Sequence, residues 1–307
     1  MTPAPLYADV ADGPPGGRAF WLTASDGVRI RAAHWPGAAR GTVVIVPGRT
    51  ECIEKYGPIA ADMVAAGYHT VVIDVRGQGL AARLLPDGMV GHVGGFSDYY
   101  KDMQALLPLL HELPKPRFLL GHSMGGTIAL RALVEGFPVA RVAFSAPMWG
   151  ILFARGVAPL ARGMAGFASL FGRGHAYAPG PGPVTYLLAA PFKGNTLTTD
   201  EPTWDWMKRQ VTAHPDLSLG GPSFRWLQAA LAECRALQKM AAPDVPALAL
   251  LGSAEKIVDS QAIQRRMATW PGSRLLILPG AEHEVLMETP RIRAEAMRAI
   301  LDHFAAA

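Results

Sequence analysis

The stretch that most constrains this chain is Leu119-Leu120-Gly121-His122-Ser123-Met124-Gly125-Gly126, where a short apolar run of strand character meets Gly-x-Ser-x-Gly. A helical pattern through Leu130, Leu133 and Val134 follows at once. A chain that turns from strand to helix within so few residues strains the backbone at the turn, and side chains at Gly121 or Gly125 would collide with neighbouring backbone. Such a turn holds the serine hydroxyl exposed, as a nucleophile requires. The helix starting after Ser123 aims its free N–H groups at the same point, which places the Met124 amide to stabilise a developing oxyanion.

Around this turn, β-rich runs alternate with helical patterns, the signature of an α/β fold with a parallel sheet flanked by helices. The start differs: Ala19 to Thr23 and Val28 to His34 flank Ser25-Asp26-Gly27, a hairpin signal. Six further runs, Thr42 to Val46, Thr70 to Val75, Arg117 to Leu120, Arg141 to Phe144, Ala247 to Leu251 and Arg274 to Leu278, lack alternation and read as strands covered on both faces. Helical stripes lie between them: Ile53, Tyr56, Ile59 and Met63; Tyr99, Met103, Leu106 and Leu110; and near the end Met297, Ile300 and Phe304.

The rhythm breaks between Pro147 and Pro246, far longer than an ordinary connection. Residues 1–146 and 247–307 therefore read as one core and 147–246 as an inserted helical subdomain, with stripes at Leu160, Met164, Phe167 and Phe171 and at Phe224, Leu227, Leu231 and Cys234. Pro179 to Pro183 reads as a loop within it.

Half of the 307 residues are hydrophobic and 18% are charged, which fits a compact globule and excludes a disordered chain. The formal charge of +4 comes from scattered Lys and Arg, so no dedicated nucleic-acid surface is expected, although a mild attraction to anionic lipid head groups is. Cys52 and Cys234 read as free thiols. The first residues lack the pattern of a signal peptide, which makes the cytoplasm the default expectation, and Val157 to Phe171 is too broken to span a bilayer. Without a metal-ligand cluster or phosphate loop, no metal or cofactor is expected.

A nucleophilic serine needs a base, and His283 lies in Pro279-Gly280-Ala281-Glu282-His283-Glu284, just beyond the last predicted strand. From there an imidazole can swing over the C-terminal edge of the sheet. His122 reads as packing or hydrogen-bonding near the turn, and His303 as part of the final helix. The loop after Ala247 to Leu251 offers two carboxylates, Glu255 and Asp259, to orient the histidine.

Gly-His-Ser-Met-Gly-Gly resembles the nucleophile elbow of the α/β-hydrolases, in particular the lysophospholipase and monoacylglycerol-lipase-like branch, serine aminopeptidase S33-like hydrolases. Asp74-Val75-Arg76-Gly77-Gln78-Gly79-Leu80 resembles the branch's Asp-x-Arg-Gly-x-Gly segment, and Gly91-His92 through Phe96-Ser97-Asp98-Tyr99 the segment after it. The resemblance covers Thr42 to Ser145 and Ala247 to Phe304 and is weaker between them. It implies an α/β-hydrolase fold of about eight mostly parallel strands with an inserted helical cap, and the chain order serine, acid, histidine. The family's aspartate falls where Glu255 stands, which implies Glu255 as the acid and leaves Asp259 as the alternative. In Val46-Pro47-Gly48-Arg49-Thr50-Glu51 it implies the Arg49 amide as second oxyanion donor, with Pro47 standing where the family commonly has histidine.

The resemblance further implies hydrolysis of lysophospholipids or monoacylglycerols through an acyl-enzyme. A short-chain carboxylesterase, a thioesterase, or a non-catalytic protein that only binds a ligand remain open. Trp149, Phe153, Phe167, Leu170 and Phe171 are candidates to hold a fatty chain or touch a membrane surface, and Asn195 to Asp200 and His214 to Pro222 to shape the pocket.

Overall fold

Runs of β-branched and aliphatic residues with no polar face can form strands only if both faces are covered, and this requirement sets the architecture. The computed structural model describes residues 1–152, 172–180 and 182–307. Among these lies one sheet of nine strands: β1 (Thr2–Ala4), β2 (Arg18–Thr23), β3 (Arg29–Trp35), β4 (Thr42–Val46), β5 (His69–Asp74), β6 (Arg117–His122), β7 (Arg141–Ser145), β8 (Ala247–Gly252) and β9 (Arg274–Leu278). Their order is β1-β2-β3-β5-β4-β6-β7-β8-β9. β1, β2 and β3 enter antiparallel and everything from β5 to β9 is parallel.

Pleating sends alternate residues to opposite faces. Val44 and Val46 join Val71, Ile73, Leu119 and Phe144 on one, together with the helices Ser97–Ala105, Met124–Val134 and Ser260–Ala268. Val43 and Ile45 join Val72, Phe118, Leu120 and Leu250 on the other, beneath the helices Gly57–Ala65 and Pro290–Ala305. The chain leaves β4 for β5 on one side and β6 for β7 on the other, so a crevice opens where the C-terminal ends of β4 and β6 diverge, the place where open α/β sheets bind ligands.

Two elements differ from the sequence expectation. β1 is additional: Thr2-Pro3-Ala4 carries no hydrophobic pattern, and it pairs with β2 at the outer edge, where a proline is tolerated. β9 was expected to be covered on both faces, but it is the opposite edge strand, and Ile277 is 46% exposed. Its apolar sequence could not show that no tenth strand lies beside it.

Between β7 and β8 the described residues form the helices Tyr186–Ala189, Glu201–Ala213 and Phe224–Lys239. The last buries Trp226, Ala230 and Leu237 in the core of the first face. The stripe Leu160, Met164, Phe167 and Phe171, like Phe153 and Leu170, lies outside the described residues. Trp149 is packed into the core: its ring lies edge-on to Phe144 at 4.9 Å, and its Nε1 donates to the Gly126 carbonyl at 3.2 Å.

Phe144 sits between Trp149 and Trp270, the latter ring centre 5.8 Å away. Phe144→Ala is expected to cost about 3–5 kcal/mol through the cavity it leaves, read as a lower urea midpoint at unchanged slope.

Candidate active site

β6 ends at His122, and Ser123 turns the chain into the helix Met124–Val134 with φ 50° and ψ −117°, a left-handed conformation costly for a residue bearing a side chain. Three backbone bonds hold it there: Ser123 N–H donates to the Ser145 carbonyl at 2.9 Å, and the Ser123 carbonyl accepts from Gly126 at 2.9 Å and Met148 at 2.8 Å. The glycines are required by contact. A Cβ on Gly125 would stand 2.0 Å from the Val46 carbonyl oxygen, and one on Gly121 2.7 Å from that of Gly125. The loop after β4 is thus pressed directly on the first turn after the serine.

His283 approaches from the loop after β9. Its Nε2 lies 2.9 Å from Ser123 Oγ, and its Nδ1 lies 2.7 Å from Glu255 Oε2. The other Glu255 oxygen accepts the backbone N–H groups of Ile257 at 2.6 Å and Val258 at 3.1 Å. Burial alone would raise the Glu255 carboxyl, but the His283 contact and these two amides outweigh it and hold it below the usual glutamate range. Asp259 does not reach the histidine. It caps the helix Ser260–Ala268, accepting from the Gln261 and Ala262 amides at 3.0 and 3.2 Å.

Among the described residues, neither the Met124 nor the Arg49 backbone N–H donates to any other group of the chain. Both border the crevice, Met124 as first residue of its helix and Arg49 on the loop pressed against it. Gln78 fixes this loop by accepting the Thr50 N–H at 2.7 Å, and Glu51 by accepting the Gly48 N–H at 2.5 Å.

Beneath the site lies a charged group that motif reading does not isolate. Lys55 Nζ donates to Glu51 at 2.7 Å and to Glu284 at 2.5 Å, and Tyr56 OH donates to Glu51 at 2.6 Å. His122 Nε2 stands 3.2 Å from Glu284 and 3.4 Å from Glu51, while its Nδ1 is 3.0 Å from the Ser145 carbonyl. Glu51, His122 and Glu284 are the one trio among the described residues whose ligand atoms cluster tightly enough for a metal, but the Lys55 ammonium already stands between the two carboxylates and pairs with both. Burial would raise Glu284, yet Lys55, His122 and His283 outweigh it and hold this carboxyl well below its ordinary range. Burial would lower Lys55 and His122, and the same two carboxylates raise both instead. The sequence signals were faint: an i,i+4 spacing of Glu51 and Lys55, and charged neighbours beside Ser123 and His283.

Asn195 to Asp200 meets this loop from above. The Glu284 N–H donates to the Leu197 carbonyl at 2.8 Å and Thr198 Oγ1 to the Met287 carbonyl at 2.7 Å. His214 to Pro222 pairs with the segment before Gly91: Gly220 N–H donates to the Met89 carbonyl and Gly91 N–H to that of Gly221, each at 2.9 Å.

A mostly parallel sheet with a serine elbow after β6 and a histidine loop after its last strand is the arrangement of an α/β-hydrolase. A family model described as "Serine aminopeptidase, S33" matches residues 37–290, and the chain belongs to that family. It is similar to lysophospholipase L2 of Escherichia coli strain K12, with 34% identity over 290 residues covering 90% of this chain and 83% of the other. It is also similar to the probable lysophospholipase L2 of Haemophilus influenzae, with 30% identity over 271 residues, 87% and 84% of the two chains. In fold it matches a soluble variant of monoglyceride lipase from Saccharomyces cerevisiae, with a TM-score of 0.74 over 94% of each chain at 18% identity.

Removing the cation beneath the site leaves two buried carboxylates facing each other. Lys55→Met is expected to cost about 3–5 kcal/mol at pH 7. In the native protein the depressed Glu284 pKa contributes stability above the ordinary glutamate range, and this is lost as pH falls through the depressed value. In the variant, burial without Lys55 raises the carboxyl pKa above its unfolded value, so the deficit shrinks on acidification from pH 7 toward 5. Urea midpoints across that range check both signs.

Proposed function

We propose that the chain hydrolyses single-chain lipid esters, with lysophospholipids as the favoured class, through an acyl-enzyme on Ser123. The observation that carries this reading is the continuous contact from Ser123 Oγ through His283 to Glu255 at the mouth of the crevice. With its Nδ1 proton held by Glu255, the imidazole turns an unprotonated Nε2 toward the serine. As Ser123 Oγ attacks the ester carbonyl, its proton passes to His283 Nε2, and the carbonyl oxygen becomes an oxyanion that accepts from the Met124 and Arg49 amides. His283 returns the proton to the departing alcohol oxygen as the C–O bond breaks, leaving an acyl group on Ser123. Water then attacks this acyl group, giving its proton to His283, and the fatty acid leaves as the proton returns to Ser123.

The substrate class rests on the two relatives named lysophospholipase L2, each matched over most of its length. The stretch from Pro147 to Thr199 supports it in composition, holding Arg155, Arg162, Arg173 and Lys193 and no aspartate or glutamate. Leu152, Val184 and Leu188 on the same stretch are exposed. Cations beside exposed apolar groups suit an anionic lipid surface. Within 147–246 we assign the cap to the residues ahead of the Phe224–Lys239 helix, because that helix is built into the core. No helix among the described residues is long and apolar enough to cross a membrane.

Ser123→Ala is expected to lower kcat on the order of 10⁴- to 10⁶-fold and to abolish labelling by a fluorophosphonate probe. Near-normal turnover by the purified variant would remove Ser123 from the reaction. Across a series of p-nitrophenyl esters, kcat/KM should rise with acyl length, because each methylene buried on binding contributes ~0.8 kcal/mol. A maximum at acetyl or butyryl esters would refute the lipid assignment.

A further inference from the structure

The Arg49 side chain has a place in this site separate from that of its amide. Its guanidinium is half-buried and makes one hydrogen bond among the described residues, Nη1 donating to the Gly220 carbonyl at 2.9 Å, with Cζ 5.5 Å from the centre of the Trp226 ring. Gly91 closes over it, since a Cβ there would lie 3.0 Å from Nη1. No carboxylate of the described residues lies within 4.0 Å of it, and residues 153–171 and 181 contain no aspartate or glutamate to supply one.

Other enclosed arginines are treated differently. Arg31 is held by Glu54 and Asp74, and Arg76 by Asp26 and Asp102. Arg83 spends its donors on the carbonyls of Gly77, Gly79, Asp216 and Ser218, and Arg266 on those of Leu237, Met240 and Ala241. Arg117 also makes a single bond, but it opens β6 at the opposite end of the sheet from the elbow. At Arg49 burial lowers the guanidinium to about 10, partly offset by Tyr99, which leaves it charged at neutral pH. A charge taken partly out of water with one carbonyl for company is costly, and the cost is recovered when an anion arrives.

We propose that the Arg49 guanidinium receives the phosphate of a lysophospholipid head group, so that one residue serves both ends of the substrate, its amide facing the ester oxygen and its side chain the phosphodiester. This deepens the lipid-ester reading above and rests on it. The planar fork of arginine matches two phosphate oxygens at once, which a lysine ammonium cannot do. The short glycerol backbone between acyl ester and phosphate suits the short reach from the Arg49 amide to its own guanidinium. A neutral monoacylglycerol would leave the charge uncompensated, so the site discriminates between the two lipid classes.

The test compares the full-length wild type, Arg49→Gln and Arg49→Lys on a myristoyl lysophosphatidylethanolamine and a monomyristoylglycerol in the same neutral detergent micelles. The wild type should favour the phosphate-bearing ester in kcat/KM by about tenfold to a hundredfold, the range of one charge-assisted contact pair. Arg49→Gln should bring the two lipids close to parity, chiefly through a higher KM for the lysophospholipid, and Arg49→Lys should fall between. With p-nitrophenyl butyrate as reporter, glycerol 3-phosphate should inhibit the wild type competitively, with a Ki about tenfold or more above that value in Arg49→Gln. Equal losses on both lipids in both variants, or a wild type that hydrolyses both lipids equally well, would overturn the assignment while leaving ester hydrolysis intact. A wild type that turns over p-nitrophenyl butyrate and neither lipid would overturn the lipid reading itself.

Discussion

The site is organised around one ammonium shared by two buried carboxylates. Lys55 holds Glu51 and Glu284 together, and each carboxylate belongs to a different loop at the C-terminal edge of the sheet. Glu51 orders the loop after β4 by accepting the Gly48 N–H, and Glu284 adjoins His283 on the loop after β9. His122, adjoining Ser123, faces both acids and leans on Ser145 at the end of β7. Three loops from distant parts of the chain are thereby referred to one charge. Such a group gains little net stability over an apolar filling of the same volume, because desolvation offsets most of the attraction. Its directional bonds give the three loops a fixed relative position, which apolar contacts would not.

Much of the fold was legible because its signals are local. The unalternating runs from Thr42 to Leu278 fell on real strands, since a strand covered on both faces must be apolar throughout. The stripes Ile53 to Met63 and Tyr99 to Leu110 each fell on a pair of short helical segments rather than one helix: Ile53–Tyr56 joins Gly57–Ala65, and Ser97–Ala105 joins Leu107–His111. Pro58 and Pro108 sit in the first turn of the second member of each pair, where a proline is tolerated. Edge effects were not legible. Nothing in Arg274 to Leu278 distinguishes a border strand from an interior one, and Thr2-Pro3-Ala4 pairs through its backbone, which leaves no hydrophobic trace.

At the site, the serine turn is written in glycines, because a backbone that touches another backbone excludes every larger residue. The place of His283 beyond the last strand was equally plain. The choice between Glu255 and Asp259 was not, since both lie in one short loop and only the start of the following helix separates their surroundings. Asp259 meets the free amides of that helix and is consumed as its cap. Glu255 stands ahead of the helix, where two successive amides bind one oxygen and turn the other toward the imidazole. The Lys55 group escaped because its members are paired by three-dimensional proximity alone, apart from the four-residue spacing of Glu51 and Lys55.

The same geometry separates what is rigid from what is adaptable. Ser123, His283 and Glu255 are fixed by sheet register and by bonds beneath the crevice: Val46 pairs with Gly121, His122 with Ser145 and Gly252 with Leu278, so the loops leave the sheet at matched heights. The walls come from elsewhere. Leu197 and Thr198 reach the histidine loop from the segment between β7 and β8, and Gly220 and Gly221 reach the residues around Gly91 from the same segment. Apart from the Thr198 hydroxyl, these contacts run through backbone carbonyls and amides, which are indifferent to side-chain identity. Residues on the walls can therefore change without disturbing Ser123, His283 and Glu255, so one arrangement at a sheet edge can be combined with many different walls. Arg49 is the exception that joins the two layers, with its amide in the rigid loop and its side chain against Gly220 in the wall.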